Sequence, residues 1–199
     1  MVSRESLVEI ARDLLAEGGL RALSMRAVAG RVGVSATAIY HYFENKEALV
    51  RAVVAAGFQR MESYLQGAAE RFSPGSRDRL YAFAEAYLRF ALENREYFQV
   101  LFSLEMERPQ SFEESPEGSG YRLLLENVTH AIESGAIRRA DPDLVAFHLW
   151  AYVHGLVSLL LRYGTGPPQA AADVAAALRL LERLRPLVRE GLEPEAGGA

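Results

Sequence analysis

The chain has 199 residues, half of them hydrophobic and about a quarter charged, with a net charge of −4, which is the composition of a folded globular protein and not of a disordered one. It has no cysteine, and the histidines at 41, 130, 148 and 154 show no ligand spacing, so a disulfide framework, a thiolate metal site and a histidine metal centre are all set aside. Residues 1–50 carry six basic and six acidic side chains and the remainder sixteen and twenty, so any contact with nucleic acid must come from a local surface.

The opening stretch MVSRESLVEIARDLL mixes acidic residues into its apolar pattern and lacks a small-residue cleavage site, unlike a secretory signal. Leu7, Ile10, Ala11, Leu14 and Leu15 follow the i, i+3, i+4, i+7, i+8 spacing of a first helix, which Gly18-Gly19 ends. Ser24 is placed as the N-cap of a short second helix with Met25, Val28, Ala29 and Val32 on one face,. Gly33-Val34-Ser35 breaks it. Ser35 then caps a third short helix over 36–43, and Asn45 precedes a long fourth over about 46–71. Ser73-Pro74-Gly75-Ser76 reads as a turn, with Ser76 or Asp78 opening a fifth helix to about Asn94 and a short sixth running through Phe102,.

Residues 108–120, RPQSFEESPEGSG, are polar and rich in Pro, Gly and Ser and read as a mobile loop,. Further helices are predicted over about 121–134, 141–162 and 169–190, and the tail 191–199 is expected to be disordered,. No alternation implies a strand. The longest apolar run, about 149–161, is interrupted by His154, Gly155 and Ser158 and is too short to span a bilayer. The expectation is a soluble, cytoplasmic protein without a membrane partner.

Residues 25–44 meet the steric demands of a helix-turn-helix. Two helices crossing steeply need a small residue at the contact, here Ala29, and a turn tolerant of positive φ four residues on, here Gly33,. Val28, Val32, Val34 and Ile39 stand where apolar side chains lock the second helix onto the first. A plain helical hairpin is the rival reading, but the third helix is too short and too polar to be only a packing element. With Ile39 and Phe43 turned inward, Thr37, Ala38, His41 and Tyr42 are left outside. That mix of small residues and hydrogen-bonding groups suits a major-groove surface.

The stretch SMRAVAGRVGVSATAIYHYFENKEALV resembles the TetR/AcrR family of regulators, a likeness covering about residues 5–55. The resemblance implies that the third helix enters the major groove while the ends of helices two and four clamp phosphates. Ser24 and Arg26 would lie by the backbone, with Ser35 and Ala36 at the start of the reading helix. Thr37 and His41 would face base edges, and Tyr40 and Tyr42 would reach phosphates or sugars. For Tyr40, packing against the first helix with a phosphate contact by its hydroxyl is favoured over base reading. Lys46, the only lysine beside 21 arginines, would pair with a phosphate at the start of helix four, where the helix dipole adds to its field. The family often has His where this chain has Tyr42, and Ala36 offers no hydrogen bond, so base preference is not read.

Beyond residue 80 aromatics are dense, among them Tyr81, Phe83, Tyr87, Phe90, Tyr97, Phe98, Phe102, Phe147, Trp150 and Tyr152. They either fill a helical core or leave gaps that admit an apolar ligand. In LWAYVHGLVSLLL, Trp150, His154 and Gly155 are similar to the Trp-x-x-x-His-Gly (WHG-type) element of regulatory domains in one branch of the family. Trp150 and His154 share a helix face, and Gly155 would permit close approach of another helix. His154 is either a structural hydrogen-bonding group or a pocket residue. The candidate ligand residues are Tyr87, Phe90, Phe98, Phe102, Trp150 and His154. Helix nine carries two apolar stripes, Val174, Leu178, Leu181 and Val188 on one and Leu180, Leu184 and Leu187 on the other. A homodimer through the last two helices would cover the second.

The whole reads as all-α, about nine helices. A helix-turn-helix DNA-binding domain (1–46) precedes a ligand-binding and dimerisation domain (47–190). The expected function is repression of a pseudo-palindromic double-stranded DNA operator, relieved by a small hydrophobic effector. A DNA-bound interaction protein without an effector is the alternative. No paired nucleophile and base, phosphate loop or metal cluster is seen, so neither an enzyme, a cofactor nor a metal is expected.

Overall fold

The computed structural model describes residues 2–103, 118–163 and 173–193. The described residues are helical without strands: α1 (Arg4–Ala22), α2 (Met25–Val32), α3 (Ala36–Tyr40), α4 (Lys46–Ala69), α5 (Arg77–Glu93), α6 (Arg95–Ser103), α7 (Gly118–Glu133), α8 (Pro142–Tyr163) and α9 (Val174–Leu192). Side chains start many of them. Ser3 and Ser6 form a reciprocal capping box at α1, and the Ser24 and Ser35 oxygens accept from Ala27 and Ala38. Asn45 Oδ1 accepts from Ala48 at 2.7 Å, and Ser76 Oγ from Arg79 at 3.2 Å. Each such cap contributes about 1 kcal/mol.

The chain divides into two compact units. One holds Met1–Arg60 with Asn94–Gln110, and the other Met61–Glu93 with Ser111–Ala199. This division differs from the boundary expected at 46/47. It falls within α4, and it places α6 with the helix-turn-helix. The reason lies at Tyr97 of α6, which is 2% exposed. Its hydroxyl donates to Glu9 of α1 at 2.9 Å, and the Arg12 and Arg60 guanidinium groups lie 5.0 and 5.3 Å from its ring. Burial, then the Glu9 bond, push the hydroxyl pKa up to about 12. At Gly57 of α4 a Cβ would come within 2.9 Å of the Tyr97 ring, so glycine sets the α4–α6 approach. Leu7, Val28, Ile39, Phe43, Leu49 and Val53 fill the core beside α1 to α4, each large side chain contributing roughly 1.5–3 kcal/mol by burial.

In the second unit a cluster of Leu80, Val128, Ala131, Ile137, Val145 and Ala146 joins α5, α7 and α8, with Tyr121, Leu124, Leu125 and Leu149 against it. Gly75, at φ +73°, is pressed on the backbone of His130 in α7, where a Cβ would meet the carbonyl carbon at 2.8 Å.

Several boundaries depart from expectation. α1 keeps a last turn after a kink at Gly18 and Gly19. α3 has five residues rather than eight, because the Tyr42 and Phe43 N–H groups both turn back onto the Ile39 carbonyl. Residues 118–120, expected in the loop, open α7, since Gly120 lets the helix lie against Leu65 and Met61 of α4. The rest of that loop and the tail from 194 lie outside the described residues. α9 starts at Val174, capped by Asp173. Finally, α8 is longer than its apolar run: 22 residues, long and apolar enough by length and composition to cross a membrane. A mostly buried core helix of a soluble protein passes the same test, whereas here 28% of the apolar stretch is buried.

Candidate functional site

Gly33 adopts the left-handed conformation, φ 71° and ψ 33°, and its N–H closes α2 by bonding to Ala29 O. The neighbouring Val34 N–H bonds to the same carbonyl at 3.0 Å. Ala29 is 3% exposed, and Val28 and Ile39 are fully buried, whereas Val32 and Val34 are half-buried. The turn therefore presents α3 with its apolar side locked down and its other side free.

On that free side Ser24, Arg26, Ser35, Thr37, Tyr40, His41 and Tyr42 are exposed, and Ala36 and Lys46 are half-buried. All nine expected DNA-side residues thus lie on one short stretch from the start of α2 to the start of α4. Tyr40 is 54% exposed, so about half of its surface is covered. The capping oxygens of Ser24 and Ser35 accept from backbone N–H groups, which leaves each hydroxyl hydrogen free to donate to a phosphate. Two expected phosphate ligands already have partners. The Tyr42 hydroxyl donates to Val2 O at 3.1 Å, and Lys46 Nζ donates to Leu20 O, in the turn after the α1 kink. An ammonium has three donors, so Lys46 can hold that corner and still face a phosphate. Arg31 is paired with Glu17 at 2.6 Å.

In the second unit, Tyr87 of α5 meets α8. Its hydroxyl lies 2.8 Å from His154 Nδ1 and also hydrogen-bonds Trp150. An indole N–H only donates, so the hydroxyl accepts from Trp150 and donates to His154. Burial holds the His154 pKa below its usual 6.5, consistent with a neutral ring accepting at Nδ1. Burial likewise raises the Tyr87 pKa. The Trp-x-x-x-His spacing is thereby explained: both side chains clasp one tyrosine.

Trp150 and His154 group with Tyr87, Tyr121 and Phe147, while Phe90 sits edge-on to Tyr64 at 5.9 Å. Phe98 and Phe102 belong to the first unit, where Phe102 meets Phe58 at 6.3 Å. Gly155 has open space where a Cβ would stand, so among the described residues no helix makes the expected close approach. Leu144, Phe147, Leu159 and Tyr163 of α8 and Leu187 of α9 are all more than half exposed. On α9, Ala177 and Leu181 are buried and the remaining stripe residues other than Leu187 are half-buried. Three side chains hold a polar atom that is shielded from solvent and has no partner, Arg79 Nε, Asn127 Oδ1 and Tyr152 Oη; of these the sequence reading had named only Tyr152. The signal for Asn127 was a polar residue in the stripe of Leu124, Val128 and Ala131. Among the described residues no group of potential metal ligands assembles.

A left-handed glycine turn that holds a short, capped, outward-polar helix defines a helix-turn-helix DNA-binding regulator. Residues 7–53 match the family of bacterial regulatory proteins described as the tetR family, and residues 80–196 match the tetracyclin repressor-like C-terminal domain. The chain belongs to the TetR family of transcriptional regulators. It is 25% identical over 205 residues to the HTH-type transcriptional regulator RutR of Escherichia coli K12, covering 96% of this chain and 91% of RutR. With the HTH-type transcriptional repressor KstR2 of Rhodococcus jostii RHA1 it shares 43% identity over 47 residues, 24% of this chain and 23% of KstR2. A solved structure of a protein of unknown function from Rhodococcus sp. RHA1 superposes with a TM-score of 0.76 at 26% identity, covering 96% of each chain. RutR and KstR2 are transcriptional regulators.

Proposed function

We propose that this chain is a homodimeric, cytoplasmic repressor that binds a pseudo-palindromic operator and is released by a small hydrophobic effector. The observation that carries this reading is the exposed polar side of α3, held by the left-handed turn at Gly33. In this reading Thr37 and His41 face base edges and Ala36 allows close approach. Ser24, Arg26, Ser35, Tyr40, Tyr42 and Lys46 hold phosphates or sugars. DNA reading resides within 1–46, and effector binding and dimerisation within 47–190.

The exposed apolar residues of α8, with the open Gly155 and with Leu187 of α9, support dimerisation through these two helices,. Two reading helices would then address half-sites about 34 Å apart. α4 begins at Lys46 and continues through Met61–Ala69 into the second unit, so it is the natural lever. An effector that binds more tightly to a conformer with the wrong half-site spacing lowers operator affinity by the same factor.

The alternative, a DNA-bound interaction protein with no effector, draws support from the Tyr87–Trp150–His154 group, whose polar atoms satisfy one another. Fluorescence anisotropy with duplexes selected from random sequence, with and without small molecules extracted from the purified protein, separates the two. Specific, salt-dependent binding that weakens on adding the extract supports the effector reading. Binding indifferent to it supports the alternative, and no sequence-specific binding removes both.

A further inference from the structure

Asn127 of α7 is 2% exposed and is the only buried polar residue among those described. Its Nδ2 donates to the Leu123 carbonyl one turn back at 2.7 Å. That bond fixes the orientation of the amide, since the reverse would set two carbonyl oxygens against each other. Oδ1 therefore points away from its own backbone, shielded from water and accepting from nothing. A buried acceptor left in this state keeps its full desolvation cost.

Several hydroxyls of the second unit already have acceptors, and two buried donors there, Arg79 Nε and Tyr152 Oη, have none. The Tyr64 hydroxyl donates to Glu93, Tyr81 to Glu182 and Tyr121 to the Asp143 carbonyl. The Tyr87 hydroxyl is taken by the Trp150–His154 clasp. Tyr152, on the α8 stripe that includes Val145 and Leu149, is likewise shielded and unpartnered, and those two residues join the same core as Val128 and Ala131 of α7. On α7 itself Asn127 shares a stripe with Gly120, Leu124 and Ala131. Beside Gly120 the nearest atoms are the tips of Leu65 and Met61 of α4, 3.2 and 3.3 Å from where a Cβ would stand. Such tips, a thioether methyl above all, can move aside for a guest.

We infer that Asn127 is the polar anchor of the effector site, and that the effector is a neutral, largely apolar molecule that donates one O–H or N–H to Asn127 Oδ1. This rests on the reading of the second unit as effector-binding. The apolar body follows from the Leu, Val and Ala side chains of the surrounding core. Neutrality follows from the acceptor, because a carboxylate would set its own oxygens against a carbonyl oxygen. A guest seated there would press on Met61 and Leu65, and hence on the helix that begins at Lys46.

The test is isothermal titration calorimetry of the full-length protein with two matched pairs, 1-octanol against 1-methoxyoctane and decahydro-2-naphthol against its methyl ether. At least one alcohol is expected to bind the wild type about tenfold more tightly than its ether, ~1.4 kcal/mol. Asn127→Leu is expected to remove that preference while raising Tm, because the orphan acceptor is gone; Asn127→Ala serves if the leucine does not fit. Equal binding of alcohol and ether, binding by none of the four, or a preference that survives in Asn127→Leu would overturn the inference. The effector reading fails separately, if an alcohol binds through Asn127 and operator affinity does not change. Conversely, a co-purified molecule that releases operator equally from wild type and Asn127→Leu keeps the effector reading and removes Asn127 from it.

Discussion

The two compact units differ in how completely their buried polar groups are partnered. In the first, many polar groups have local work: Ser24 and Ser35 cap, Lys46 holds the Leu20 carbonyl, Tyr42 holds Val2, and Tyr97 is bound by Glu9 between arginines. In the second, Asn127 Oδ1 and Tyr152 Oη have none, and large apolar side chains of α8 face outward. A surface that must meet a fixed duplex gains from rigidity in advance of binding. On the function proposed above, a unit that responds to a guest and a partner would keep unfilled valence for both.

The sharpest way to break this comparison is a matched glycine pair. Gly75→Ala combines a left-handed backbone with a clash on the His130 backbone, and should cost roughly 2–5 kcal/mol, from about 1–2 for the conformation and about 1–3 for overpacking. Gly33→Ala meets open space and should cost only the conformational part, about 1–2 kcal/mol. Denaturant melts of the two variants measure the gap, and equal losses would contradict it. Next in size, Ser35→Ala should lose about 1 kcal/mol of stability and weaken operator binding, read by the same melts and by anisotropy. Lys46→Gln should reduce the slope of log affinity against log salt by about one. An unchanged slope would leave Lys46 only its hold on Leu20.

The smallest effect concerns pH. Burial keeps the folded His154 pKa below 6.5, so the unfolded chain takes up the proton first. The stability that His154 contributes is whole above the unfolded value and is lost as pH falls through the folded one. Wild-type Tm should therefore fall further than that of His154→Gln between about pH 7.5 and 5.5. Parallel curves would mean that the ring is not held neutral by its surroundings.

The legible parts of the molecule were those whose cause is local. Ser24, Ser35 and Gly33 announce a cap, a cap and a left-handed turn from their own chemistry, and the helix-turn-helix followed from them. The end of α3 was misplaced because two N–H groups share the Ile39 carbonyl, a choice that periodicity does not encode. Non-local causes stayed hidden. Nothing near Tyr97 says that Glu9 awaits it, so the sequence did not show that α6, with Phe98 and Phe102, groups with the first unit. Leu124 and Val128 made the Asn127 stripe look like ordinary core. Of the residues expected on the DNA side, the sequence did not show that Tyr42 and Lys46 hold backbone carbonyls.

The clasp on Tyr87 has one more consequence. Trp150 is the only tryptophan in the chain, and its ring lies 6.2 Å from that of His154. Intrinsic indole emission is therefore an unlabelled optical gauge of the second unit alone, silent about the first, and bright or quenched according to whether the neighbouring imidazole carries a proton.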